Sequence, residues 1–501
     1  MTNCLKPLDY AIFAGYLVAT VVVGILFSRG QKNLRGYFLA DKSMGFVIVG
    51  VSVLAALFSG ISYLAFPSEM YAHGVGFFLV TMSLFIATPL TSLIFLPFFC
   101  RSRFFTAYQY LEERFSVQVR TLASFLFIAQ VLLRLALATY APALALQQVT
   151  GLPLWFSVFC TGILTTLYTS FGGIKAVIWT DVIQFCVLMG GQILILFLAL
   201  SQVPGGAHHV YEIARDTGHL ELSFDFSPGV RITVWSALIG GAFLTMVQLA
   251  TDQISVQRYL TATSLREARR ALWLKLVLVI PVVAIFCATG LVLFAYYQAQ
   301  GDPLASGKIS KVDQILPYFV AHELPVGIPG LLIAAIYGAT MAAVSSGINS
   351  LTSATLVDFY ERLWRGAEFS SDASKMKLAR WLTAAYGLLV MILAFEVQKL
   401  GTLVEAANKA IGLLGGPLLG IFLLGIFFKR ANARGAACGW VAGVAALAWI
   451  CFGTQTSFLW YALAGCVVTM VVGWCVSLLF LAPTQKNLDG LTWESRYQSE
   501  K

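Results

Sequence analysis

The chain has 501 residues, of which 58% are hydrophobic and only 11% charged, where an ordinary soluble domain carries about a quarter charged. That balance excludes a water-soluble globule. The formal charge of +9 sits in short basic clusters between long apolar runs, a pattern of membrane topology rather than of nucleic-acid binding.

A membrane-crossing α-helix needs about 20 apolar residues. Runs of that kind are expected at 8–27, 44–66, 76–98, 121–146, 153–171, 176–200, 232–251, 271–296, 329–357, 378–395, 403–428, 435–452 and 459–481, thirteen in all. An odd number puts the termini on opposite faces. Of the Lys and Arg residues, 24 lie in or next to the segments of one face and 6 on the other, while Arg134, Lys275 and Lys409 fall inside spans. The excess of positive charge marks the cytoplasmic face, so the N-terminus is expected outside and the C-terminus in the cytoplasm.

In chain order, the second span holds Ala55-Ala56-Leu57-Phe58-Ser59-Gly60-Ile61-Ser62, small and hydroxyl residues at mid-membrane. The span 121–146 has Arg134 at its middle, where a guanidinium costs about 2.5–3.5 kcal/mol even on the mildest scale. It must face protein or water, and its planar fork suits a carboxylate, either of a cargo or of an internal acid. Asp181, about 9 Å into the span 176–200, is a cation-ligand candidate, or else a partner for Lys175 or for a Ser or Thr hydroxyl in helix packing. The seventh span has Gly240-Gly241 followed by Gln248, Thr251, Asp252 and Gln253. Lys275 lies near the cytoplasmic end of the eighth, where its stem could carry the ammonium to water. The ninth reads Ala339-Thr340-Met341-Ala342-Ala343-Val344-Ser345-Ser346-Gly347-Ile348-Asn349-Ser350. Its hydroxyls, with carbonyls and one carboxylate, offer the hard oxygens of a sodium-sized ion, or simply a face that packs closely.

Broken helices in the second and seventh spans would present free carbonyls to a cation and helix ends to a cargo. Their spacing divides the chain into an extra helix and loop (1–43), a five-helix unit (44–200), an extracytoplasmic loop (201–231), a second five-helix unit of inverted topology (232–428) and two C-terminal helices with a tail (429–501). No HExxH, no DDxxD and no nucleophile beside a base in a loop points to an enzyme.

The stretches GGIKAVIWTDVIQ (172–184), YAPALALQQVTG (140–151), DQISVQRYL (252–260) and IGLLGGPLLGIFLLGIFFKRAN (411–432) together make the chain resemble the sodium:solute symporter family, from Leu8 to about Leu481. The first two are similar to the sodium-coupled monocarboxylate and iodide branch, the helix-nine segment and LGGP region to bacterial sialic acid transporters. The resemblance implies an all-α membrane protein of LeuT type, two inverted sets of five helices with one extra helix before and two after. It implies cation-coupled uptake of a small organic anion by alternating access, in a plasma (bacterial inner) membrane, with Na+, the anion and the lipid bilayer as its partners. No nucleic acid and no obligatory protein partner is implied. For the substrate it implies Arg134 on a carboxylate, with Ser59, Ser62, Phe77 and Gln248 around it and Thr81 where the sialic acid branch has glutamine. For sodium it implies a site at Asp181, Ser345 and Ser346. It also implies the family's usual site on the carbonyls of Ala55, Phe58 and Ala339, where Ala342 and Ala343 replace the expected hydroxyl pair. One Na+ is therefore expected. A proton-coupled or uncoupled exchanger of the same fold, or a membrane sensor without flux, remain the alternatives.

Overall fold

The computed structural model describes all residues except 1–4, 28–32, 102–103, 152, 365–370, 397–402, 485–487 and 496–501. Among the described residues there is no β-strand, only an isolated bridge between Met44 and Ala262. Helix lies under every expected span: α1 (Pro7–Phe27), α2 (Phe46–Leu57), α3 (Gly60–His73), α4 (residues 78–101), α5 (Val117–Thr150), α6 (Leu154–Ser201), α7 (Ser236–Thr251), α8 (Gln253–Thr261), α9 (Leu265–Gln300), α10 (Ile328–Leu363), α11 (Asp372–Ala394), α12 (Leu403–Phe427), α13 (Ala433–Gly453) and α14 (Tyr461–Leu478). Nine helical stretches of the described residues are each long and apolar enough to cross a membrane, and the bent pair α7–α8 makes a tenth.

Three of these helices are interrupted where the sequence gives a reason. Between α2 and α3, Phe58 (φ −97°, ψ 88°) leaves helical geometry and Ser59 becomes an N-cap, its hydroxyl accepting from Ile61 N at 3.2 Å. Serine competes for backbone donors and so favours a cap over a helix interior. Between α7 and α8 the axis turns by 51° at Asp252, whose carboxylate accepts from Ile254 N at 2.9 Å. The 48 residues of α6 would extend about 72 Å as a straight helix, far beyond a hydrocarbon layer of about 30 Å. They turn back at Gly173, whose φ of 54° and ψ of −167° belong to glycine.

The centre of the molecule is α10. In its apolar window 94% of residues are buried, against 17% in α1, which lies at the periphery. The run of Ala, Gly and Ser along α10 lets neighbouring backbones approach: a Cβ added to Gly60 at the start of α3 would collide with Thr340 Oγ1 and sit 3.3 Å from the Ile336 carbonyl. The break in α2–α3 is thereby held against α10.

Ion pairs tie the ends of the bundle. At one end Arg120 donates to Asp358 Oδ1 from Nε at 2.8 Å and to Glu112 Oε2 from Nη1 at 2.6 Å, while Arg362 also reaches Glu112. At the other, Arg231 grips Glu69 with two parallel bonds of 2.9 and 2.8 Å. Three of the bases expected on the cytoplasmic face are drawn into the protein. Arg114, Arg120 and Arg258 are buried, held by carbonyls or carboxylates, and are not free positive charges on loops.

Candidate functional site between the broken helices

A cavity of about 190 Å³ lies between the two helix breaks. All six residues singled out for a substrate line it: Ser59 and Ser62 from the α2–α3 break, Phe77 and Thr81 from the segment that follows, Arg134 from the middle of α5, and Gln248 from the last turn of α7. The wall is mostly apolar, with Phe58, Phe66, Leu135, Leu244 and Ile254 among its members. Few polar groups in a largely apolar concavity is the usual makeup of a small-molecule site.

Arg134 is the polar anchor. Its Nη2 stands 2.6 Å from Asp252 Oδ2, across the α7–α8 break. Neither atom finds an aligned hydrogen-bond partner, so the pair is a contact of charges rather than a closed fork. Arg134 retains 13% side-chain exposure while Asp252 retains 1%. The acid is thus sealed behind the arginine, and the free edge of the guanidinium is what the cavity meets. Asp252 does two things at once: it caps α8 and it holds the cavity's arginine.

Asp181 lies in a different, drier place. It and Arg258 of α8 are each 0% exposed, and Arg258 Nη2 donates to Asp181 Oδ2 at 2.8 Å. Ser52 donates to the same oxygen at 2.5 Å, Arg258 Nε donates to Ser52 Oγ at 2.8 Å, and Nη2 also reaches Ser346 Oγ. A guanidinium therefore stands among two of the three groups singled out for a cation. The third, Ser345, donates to Ala342 O at 3.1 Å and lies within reach of the Tyr168 hydroxyl. Asp181 Oδ1 has no hydrogen-bond partner. One turn along α6, both amide atoms of buried Gln184 are also unpaired. Oxygens remain for a small cation beside the Arg258 pair, since one carboxylate oxygen is taken and one is open.

The other residues expected around a cation offer mainly backbone. Interruption at Phe58 and Ser59 deprives the Ala55 and Phe58 carbonyls of the i+4 amides of a continuous helix, and Ala339 lies on the stretch of α10 packed against that break. Ala342 and Ala343 bring only methyl groups, and Ala343 reaches the cavity wall.

Sequence reasoning misplaced two bases. Lys275 does not snorkel to water: it is 4% exposed and lines the cavity. Arg258, counted among loop charges, is the partner of Asp181. The quoted segment DQISVQRYL held the signal for the latter. Gln253 and Arg258 in one short helix, with Asp252 as its cap, are too polar for an unpaired span, and Gln257 of the same helix donates to Phe38 O and Asn349 Oδ1 at 2.9 and 2.8 Å.

A helical membrane bundle with two broken helices flanking a central, cation-lined cavity defines a secondary-transporter architecture. The family model "Sodium:solute symporter family" matches residues 37–443, and the chain belongs to that family. It is 36% identical over 455 residues to sodium-coupled monocarboxylate transporter 1 of Mus musculus, covering 89% of this chain and 73% of that one. It is 34% identical over 490 residues to the sodium/sialic acid symporter SiaT of Proteus mirabilis, covering 96% and 97%. Among solved structures it is similar to a Na+-coupled sialic acid symporter in a substrate-bound outward-open state, described as revealing a novel Na+ site. The TM-score is 0.88 at 32% identity, over 96% of this chain and 99% of that one. Likeness to the nucleobase-cation-symport-1 transporter Mhp1, at a TM-score of 0.56 and 14% identity, shows shared fold alone. The chain is a multi-pass membrane protein of LeuT-type fold.

Proposed function

We propose that the chain carries a small organic anion, sialic acid-like or monocarboxylate-like, into the cell together with Na+ by alternating access. The observation that supports this most is the open edge of Arg134 in an apolar cavity at the junction of two broken helices. Ser59, Ser62, Thr81 and Gln248 would take the polar substituents of the cargo and Phe77 its apolar face. Na+ would bind Asp181 Oδ1, Ser345 and Ser346. The Ala55, Phe58 and Ala339 carbonyls, without hydroxyls at 342 and 343, are short of the five or six oxygens such an ion needs, so one Na+ is carried per cycle. The N-terminus faces outward, the thirteen spans divide into the two inverted units 44–200 and 232–428, and the membrane is a bacterial inner membrane. The relatives are transporters, and the site described here serves binding and translocation rather than catalysis.

The anion would enter at a guanidinium that Asp252 already neutralises. A carboxylate can replace Asp252 on the guanidinium only when that acid is held elsewhere. Its own cap bond to Ile254 N offers such a hold, so cargo binding and the angle between α7 and α8 are linked. The test is thermal stabilisation of purified protein by a series of carboxylates, with Na+ and with K+, repeated for R134A and D181A. Loss of the anion response in R134A and of the Na+ response in D181A is expected. An R134A variant stabilised as strongly as the parent would overturn the substrate assignment.

A further inference from the structure

Lys275 is the second base in the cavity wall and nothing above uses it. It projects from α9, ten residues and about 15 Å from the N-terminal end of that helix, and is 4% exposed. A lysine so placed normally pairs with an acid. Here it has none: among the described residues no hydrogen bond or ion pair reaches Lys275, while each of the acids buried in the bundle is already held. Asp181 is held by Arg258, Asp252 by Arg134, Asp358 by Arg120, Glu69 by Arg231 and Asp9 by the Gly327 and Gly330 amides, and Asp313 too has a partner. Of the elements that wall the cavity, only α5 and α9 bring a charged side chain to it, Arg134 and Lys275. Asp252 behind Arg134 cancels that charge. The charge left over on the cavity is Lys275.

We propose that Lys275 is a substrate-binding residue, the counter-charge that selects an anionic cargo, with Arg134 orienting the same cargo through its planar fork. This rests on the transport reading above and deepens it. An ammonium is a compact point charge on a flexible stem, whereas Arg134 offers directed donors. A cavity carrying both, with one acid, holds one positive charge in excess until a monoanion enters. The arrangement therefore prefers a carboxylate over its neutral amide. It also places the anion toward the α2 side of the cavity, because the stretch of α9 that carries Lys275 packs against α2, with Gly50 facing Ala271 and Leu274.

The experiment measures equilibrium binding of lactate, pyruvate and sialic acid, with lactamide as the neutral counterpart of lactate, to full-length protein in Na+ buffer. Wild type, K275Q and K275R are compared, with the Na+-dependent shift in melting temperature recorded for each. Removing one partner of a desolvated charge pair weakens binding by about 30-fold or more. K275Q is expected to lose at least that much carboxylate affinity and to stop distinguishing lactate from lactamide, while keeping its Na+ shift. K275R is expected to keep most of the preference. A K275Q protein that binds and discriminates as wild type does would overturn the assignment to Lys275 and leave the transport reading standing. Loss of the Na+ shift together with anion binding in both variants would overturn it in favour of a packing role. A wild type blind to every carboxylate with Na+ present would sink the transport reading and this inference together.

Discussion

Asp252 holds Arg134 at 2.6 Å across the bend between α7 and α8 and at the same time caps α8 through Ile254 N. One carboxylate thus sets both the charge that the cavity shows and the geometry of the helix break. D252N keeps an acceptor for the cap and removes the charge. The variant should fold, because asparagine caps about as well as aspartate. It should bind carboxylates more tightly, since Arg134 is no longer neutralised, and transport them more slowly, since release now has no competitor. Binding isotherms and uptake rates in vesicles check this; weaker anion binding in D252N would contradict it.

The Asp181–Arg258 pair makes a separate prediction. Leaving a buried carboxylate without its guanidinium costs about 3–5 kcal/mol, so R258M should melt well below wild type. If a cation binds at Asp181, NaCl should recover more of that loss than KCl does at the same ionic strength. Equal recovery by the two salts would remove Asp181 from the sodium site.

Ala342 and Ala343 invite restoration. The double variant A342S/A343S supplies the two hydroxyls missing beside the Ala55, Phe58 and Ala339 carbonyls. Two Na+ per monoanion would then enter, and one net charge through 100 mV is worth about 2.3 kcal/mol, roughly 50-fold in accumulation. Substrate-evoked current is expected in the variant and not in the parent. A parent that already gives a robust current carries more than one cation.

Outside the membrane-spanning segments, Glu112 carries a pH signature. Burial pushes its carboxyl up, but hydrogen bonds from Arg120 and Arg362 outweigh that and hold it below the ordinary glutamate value. A group depressed in the folded state contributes stability above its unfolded value and loses it as pH falls through the folded one. Melting temperature should therefore drop as the buffer is taken below the usual carboxylate range, and E112Q should flatten that limb. A variant with an unchanged acid limb would show that other acids set it.

Much of the fold was legible because hydrocarbon imposes few rules: apolar length gave the spans, and the hydroxyl-rich run at Ser59 marks a real break, whereas in the seventh span Gly240-Gly241 stays helical and the break falls at Asp252, whose side chain caps the next helix. The cavity was legible in part. Arg134 stands out at mid-span, but its acid partner is 118 positions away in the chain, and no periodicity links them. Lys275 was misread because distance from a helix end says how far a lysine could reach, not which face it occupies; the face is set by α2 packing against α9, where a Cβ on Gly50 would meet Ala271 O at 2.8 Å. Arg258 was misread because loop bases and buried bases look alike when charges are only counted.

The most direct measurement is uptake of a labelled carboxylate into vesicles holding the purified protein, under an inward Na+ gradient with no voltage across the membrane. Accumulation above the external concentration, abolished when Na+ is equal on both sides and reduced in D181A, is the predicted result. Uptake that reaches the same level with K+ in place of Na+ would contradict sodium coupling.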